Sequence, residues 1–478
     1  MALALTRAPG EPVRPALRTA RGALITRPSL VAAATVLLVC VPGGEKDVTA
    51  AVHVTAADVA SLALVGWTTV ELLRGRAPVL SRTACALFGA VVCAAAVATV
   101  TSIDPAASLT GFVRLVQVFV LVPACVLNAL RDRFDQRLIL GSLVLAALVE
   151  GAVGANQYLT RTGASYTGLP IRAVGTFGAL DIMAMSTVVS FGLLAALALG
   201  LAERGPDGNR PLRLAMFAAA AFLTFPLAVS FSRGSWIACA AAATVLVLRA
   251  DARLAVRAAL LGLAAGTVLV CGIGIGSDGV TQRLSSIGSV SAAPDQSVSD
   301  RYDLWATALR IWQDRPVTGA GPKAFQQLRD SHAPLRLSSG SDTADATIGF
   351  QREPLLSPHN MYLLVLSEQG LVGMLAYAAL FLALLIGCLR HACGGRHPEP
   401  DGGAGLAALA LLVWVLVDFL YGDIGGATTV LTSVVLGLAA RTALAGPDES
   451  GTAALLPSPA PQPAVDDAPA AASSGVRP

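Results

Sequence analysis

The stretch MYLLVLSEQGLVGMLAYAALFLALLIGCL, residues 361–389, is a nearly unbroken apolar run whose only formal charge is Glu368. A run longer than about 18 such residues reads as a helix crossing a bilayer. Working outward, similar runs precede it near 29–42, 50–73, 83–101, 108–130, 137–157, 178–202, 212–230, 235–249 and 255–276, and follow it at 404–421 and 425–441. The composition agrees, with 54% hydrophobic and 14% charged residues and a mean hydropathy of +0.66. A soluble globular protein is excluded. The sequence predicts an all-α, polytopic membrane protein of about 12 transmembrane helices.

The first run is short enough to suggest a signal peptide, but no small-residue cleavage site follows it, so it reads as a retained helix. Cys40, Cys85, Cys93, Cys125, Cys239, Cys271, Cys388 and Cys393 fall within spans or beside an inner loop, without a CxxC pair. Neither a disulfide framework nor a zinc site is expected. Net charge is +3, carried almost wholly by arginine; it identifies no partner, and no nucleic-acid partner is expected.

Arginines cluster in alternate short loops, for example Arg74, Arg76 and Arg82, then Arg131, Arg133 and Arg137, then Arg249, Arg253 and Arg257. The positive-inside rule makes these loops and both termini cytoplasmic. The expected division is a cytoplasmic segment 1–27, nine spans over 28–276, a large extracytoplasmic loop 277–357 between spans nine and ten, three spans over 358–441, and a tail 442–478. That tail is rich in Pro, Ala and Ser and reads as disordered.

Three outward segments break the charge pattern. In SFSRGSW, Arg233 sits at the outer surface beside Ser235, a candidate helix cap, which suits either a phosphate or a lipid headgroup. SDRYDLWATALRIWQDRPVTGAGP reads as an amphipathic helix capped by Ser299, lying flat on the bilayer on a stripe of Trp305, Ala308 and Trp312 with Leu304 and Ile311 alongside, and ending at Gly319 and Gly321. Its Arg301 either faces a bound anion or pairs with Asp300 or Asp303. TGLPIRAVGTFG supplies Arg172.

Just before the quoted run, Ser357 reads as an N-cap and Pro358 as the first helical residue, placing His359 and Asn360 in the first turn. The helix dipole there favours neutral imidazole, as a general base needs, and a structural histidine fits the same position. Inside the spans, Arg114 and Glu150 are costly to bury and are expected to face the bundle interior, with each other as candidate partners; Asp181 and Asp418 lie nearer helix ends. No acidic pair suited to a metal, no phosphate-binding loop and no nucleophile elbow occurs.

Taken in order, FSRGSW, DRYDLWATALRIWQDRPVTGAGP and SPHNMYLLVLSEQGLVG resemble the O-antigen ligase / O-antigen polymerase family of membrane glycosyltransferases, over about Arg172 to Gly373. The resemblance implies a GT-C-like fold. It also implies transfer of a glycan from a polyprenyl diphosphate donor to a glycan, lipid or protein acceptor, at the outer face of the cytoplasmic membrane, with no metal, nucleotide or cofactor. By that likeness Arg233, Arg301 and His359 are the catalytic set. Arg172, Asn360, Tyr362, Trp305, Arg114 and Glu150 are the candidate substrate-binding residues. The expected chemistry is direct displacement with inversion, with His359, or else Glu368, acting on the acceptor hydroxyl. GTFGALDIMAM resembles a further family stretch, with Asp181 where an asparagine is usual.

The motifs do not separate a ligase, which transfers a finished glycan, from a polymerase, which extends a chain by a repeat unit. A twelve-span transporter or flippase is the competing class. It is disfavoured by the short central loop Glu203–Arg213, the outward position of the large loop and the lack of an internal repeat.

Overall fold

The computed structural model describes residues 27–42, 55–75, 80–166, 171–178, 181, 183–204, 208–250, 296–345, 349–393 and 403–444. The ninth expected span, near 255–276, lies outside the described residues, as does the tail after 444. The helices are α1 (Pro28–Leu37), α2 (Ala56–Leu73), α3 (Arg82–Val100), α4 (Pro105–Val116), α5 (Val122–Ala129), α6 (Arg133–Thr160), α7 (Ala184–Ala202), α8 (Arg210–Val229), α9 (Arg233–Ala250), α10 (Gln296–Asp314), α11 (Ala324–His332), α12 (Met361–Cys393), α13 (Ala404–Asp418) and α14 (Thr429–Leu444). A π-helical turn, Gln117–Leu121, joins α4 to α5 into one continuous span.

Among the described residues, eight helical segments are long and apolar enough to cross a membrane, and Pro28–Cys40, α13 and α14 are shorter apolar helices. The chain is a multi-pass membrane protein, mostly helical. α7 is its axis, with 94% of its span buried inside the protein, against 28% for α2. That contrast separates a helix wrapped by other helices from one that faces lipid.

Local chemistry fixes several helix starts. Asp132 caps α6 by accepting the Asp135 N–H at 3.0 Å, while Asp135 takes Ser29 Oγ–H at 2.6 Å and an Arg27 N–H at 3.0 Å. Such charge-assisted bonds at a helix N-terminus satisfy orphan donors and tie α1 to α6.

A small antiparallel sheet stands outside the helical expectation. β1 (Ala164–Tyr166) pairs with β2 (Gly340–Asp345), which pairs with β3 (Gly349–Pro354). The register sets Tyr166 opposite Thr343 and Gly340 opposite Pro354. The sheet thus joins the segment after α6 to the segment before α12.

Two expectations for the tryptophan helix are corrected. α10 starts at Gln296, three residues ahead of Ser299, and ends at Asp314, before Gly319. Its apolar stripe is Leu304, Ala308 and Ile311, buried with Phe325 and Leu355 against Leu363 and Leu364 of α12. The Leu304, Ala308 and Ile311 side of the expected apolar face is therefore covered by protein, while Trp305 and Trp312 are half-buried.

Candidate active site

Arg233 is the first residue of α9. The preceding turn needs Phe231 at φ 50°, and Ser232, not Ser235, caps the helix by accepting the Ser235 N–H at 3.3 Å. Ser235 Oγ lies 2.9 Å from Ser186 Oγ on α7, which seats the turn on the central helix.

Arg172 lies against the same turn. Its Nε–H donates to the Ser230 carbonyl at 2.9 Å, and the neighbouring Ala173 N–H donates to Val229 at 3.1 Å. The segment carrying Arg172 is not helical, so its backbone groups need partners. Glu150 accepts Thr176 N–H at 2.9 Å and Thr176 Oγ–H at 2.7 Å. Gln157 Oε1 accepts the N–H groups of Val174 and Gly175. Glu150 thus holds the arginine's segment, and Arg114 pairs with Asp58 on α2 and with Gln117. The expected Arg114–Glu150 partnership is replaced by these two separate sets of contacts.

The histidine motif also differs in detail. α12 starts at Met361, and Asn360 caps it, its Oδ1 accepting Leu363 N–H at 3.0 Å. His359 stands just outside, half-buried, in the left-handed region at φ 47°. Ser357 Oγ accepts the His359 N–H at 3.4 Å. The capping role falls to Asn360 because the left-handed turn at His359 separates Ser357 from the helix.

The loop between α13 and α14, residues 419–428, draws these pieces together. Met361 N–H donates to the carbonyls of Phe419 and Gly422 at 2.9 and 3.0 Å. Asn360 Nδ2 donates to Leu420 at 3.1 Å, and Tyr362 Oη to Leu416 at 2.8 Å. On its other side the loop meets the arginine turn, where a Cβ on Gly234 would sit 3.3 Å from Tyr421 Cβ. Further along, Ala427 N–H donates to Asp181 Oδ2 at 2.9 Å. An asparagine at 181 has an oxygen for the same bond, so the substitution preserves the contact.

Asp423 in this loop was not singled out by the sequence reading. Its Oδ2 is buried and has no hydrogen-bond partner. Its charge reaches His359 and Asp418, as does that of Arg301 on α10. Burial holds the His359 imidazole below its usual range; Asp423 pulls it up and Arg301 presses it down. The signal for Asp423 was present in YGDIGG, an acidic residue set between glycines in a short loop between two apolar runs.

Beside Arg301, the rings of Tyr302 and Trp305 meet edge to face at 5.5 Å. Trp305 Nε1 is buried without an acceptor, and Tyr302 is half exposed. Asp303 is held by Arg336, whose Nε–H donates to Oδ2 at 2.8 Å.

Residues 218–378 match the family model described as O-antigen ligase. The chain carries an O-antigen ligase family domain. No curated protein matches the chain. The matched stretch opens within α8 and closes within α12, so this O-antigen ligase domain contains Arg233, Arg301 and His359. Arg172 and Asp423 lie on either side of it. The match supports a membrane glycosyltransferase of ligase or polymerase type.

Proposed function

We propose that the protein transfers a glycan from a polyprenyl diphosphate donor to an acceptor hydroxyl at the outer face of the cytoplasmic membrane. The observation that carries this reading is the loop 419–428, which contacts both the arginine turn at Gly234 and the histidine motif at Met361. Elements far apart in sequence are thereby set around one place.

In this reaction the acceptor oxygen attacks the anomeric carbon and the bond from that carbon to the diphosphate oxygen breaks, with inversion. The electron pair leaves with the diphosphate, where the guanidinium groups of Arg233, Arg301 and Arg172 offset the developing charge. The hydroxyl proton passes to His359, whose lowered basicity keeps it neutral at physiological pH. Asp423 stabilises the imidazolium once it forms. Trp305 Nε1–H offers a donor to a sugar hydroxyl, and Tyr302 an aromatic face.

An apolar cavity of about 300 Å³ supports the lipid-linked donor. It is lined by Met361, Tyr362, Val365, Tyr377, Phe381 and Leu416, and so begins where the histidine motif ends. Isoprenoid units fit such a lining; a glycan does not.

The test is to inactivate the protein through His359→Ala and analyse the lipid-linked pool by mass spectrometry. Donor carrying full-length chains should accumulate for a ligase, and donor carrying one repeat unit for a polymerase. An unchanged pool would remove the transferase reading and restore the flippase.

A further inference from the structure

We propose that the break in α12 at Gly370, with the segment Pro316–Gly321 laid across it and Glu368 as its latch, is a positioning device that sets Arg301 against His359. The inference rests on the transfer reaction proposed above, and it gives Glu368 a task other than that of a base.

Gly370 has φ 61° and ψ −159°, a conformation open in practice only to glycine, so α12 is interrupted there. An interrupted helix leaves carbonyls before the break and N–H groups after it without partners. Here another segment supplies them. Leu371 and Val372 N–H donate to the carbonyls of Pro316 and Val317 at 2.9 and 3.1 Å, while Ala320 and Gly321 N–H donate to Ser367 and Glu368 at 3.0 and 2.8 Å. The two backbones touch so closely that a Cβ on Gly370 would lie 2.3 Å from the Val317 oxygen, and one on Gly319 would lie 2.3 Å from the Glu368 carbonyl carbon.

The segment is held from its other side as well. The Ala320 carbonyl accepts Ile103 N–H at 3.2 Å and Ser102 Oγ–H at 3.1 Å, and Arg315 Nη1 donates to Thr101 at 2.9 Å. The Glu368 side chain completes the hold. It is buried, and its Oε1 accepts the Phe325 N–H at 3.2 Å, at the start of α11. A carboxyl group so engaged acts as an acceptor for the loop.

α10 runs directly into this segment and packs through Leu304, Ala308 and Ile311 on the first turns of α12. One end of α10 is therefore fixed at the break, and the other carries Arg301 within charge range of His359. Freeing the latch lets α10 slide along α12 and moves the guanidinium away from the reacting diphosphate.

The experiment is amide hydrogen exchange and transfer kinetics on the full chain in lipid nanodiscs. Glu368→Ala should speed exchange in peptides covering 316–332 and in α10, leave α7 protected, and lower kcat by about 10²-fold. Glu368→Gln, whose side-chain oxygen accepts the same N–H, should retain protection and most of the rate. In an Arg301→Gln background, Glu368→Ala should cost no further rate, because a residue acting through Arg301 has nothing left to position. If Glu368→Ala unfolds the chain, Gly319→Ala displaces the segment from the other side and takes its place. Unchanged exchange in α10, or an equal loss of rate in both backgrounds, overturns the proposal. Exchange needs no substrate, so failure of the transfer reading alone would leave its result standing.

Discussion

The two ends of the helical bundle handle charge in opposite ways. At the Arg27 end, Arg27 is bonded to Asp132 and Asp135, and Arg137 to Glu203 at 2.8 Å, all at or beside helix ends. Each acid there has its base, and the product is a closed seam. At the His359 end, Arg301, His359, Asp418 and Asp423 come from α10, the start of α12, the end of α13 and the loop that follows it. The difference teaches that the first end spends its charges pairwise on holding helices together, whereas at the second the charges of Arg301 and Asp423 act together on both His359 and Asp418.

The sharpest way to break this contrast is to remove a charge from the His359 end. His359→Ala and Arg233→Ala should each lower transfer by about 10³-fold, read as release of polyprenyl diphosphate from membrane vesicles, with protein levels unchanged. Retention of the wild-type rate in either variant would mean that the two ends do not differ in function. Asp423→Asn should cost less, about 10- to 10²-fold in kcat. It should also move the acidic limb of the pH–rate profile. Asp423 raises the His359 pKa, so its removal lets that pKa fall further, and the neutral base persists to lower pH. A limb that shifts upward would separate Asp423 from His359.

Trp305→Phe keeps the ring and loses only the N–H. With about 1 kcal/mol for one hydrogen bond, the KM for the donor should rise about fivefold while kcat holds. An unchanged KM would place the sugar elsewhere. The smallest effect is expected at the opposite end. Arg137→Ala opens an ion pair whose arginine is nearly half exposed, so thermal unfolding in detergent should show a loss of about 1 kcal/mol or less, with transfer intact. A large loss of transfer there would mean that the seam reaches the active site.

Much of this architecture was readable in advance, and the boundary of what was readable has a physical cause. Apolar runs report a helix's solvent, so every expected span among the described residues has a helix there, including the short ones at 404–421 and 425–441. Arg233 and Arg301 stood out because they break the arginine-poor pattern of the segments read as outward, and His359 because it opens a span; their expected roles came from the resemblance. Caps were misplaced by local competition. Ser232 and Asn360 lie only three residues from Ser235 and Ser357, and the left-handed residues Phe231 and His359 decide between them. The break at Gly370 was invisible because GLVG continues the apolar pattern, and only the distant segment around Gly319 makes the interruption stable. Asp423 and the true partners of Arg114 and Glu150 depend in the same way on contacts between segments remote in sequence.

The shortness of α13 and α14 has its own outcome. Helices of 15 and 16 residues rise only about 22 to 24 Å, against roughly 30 Å of hydrocarbon in a bilayer. Both are sheathed by neighbouring helices and barely meet lipid. A helix wrapped by protein need not match the bilayer, because its neighbours and not lipid tails set the apolar length it must satisfy. The loop 419–428 that joins the two is accordingly held by protein, through Met361, Asn360 and Asp181.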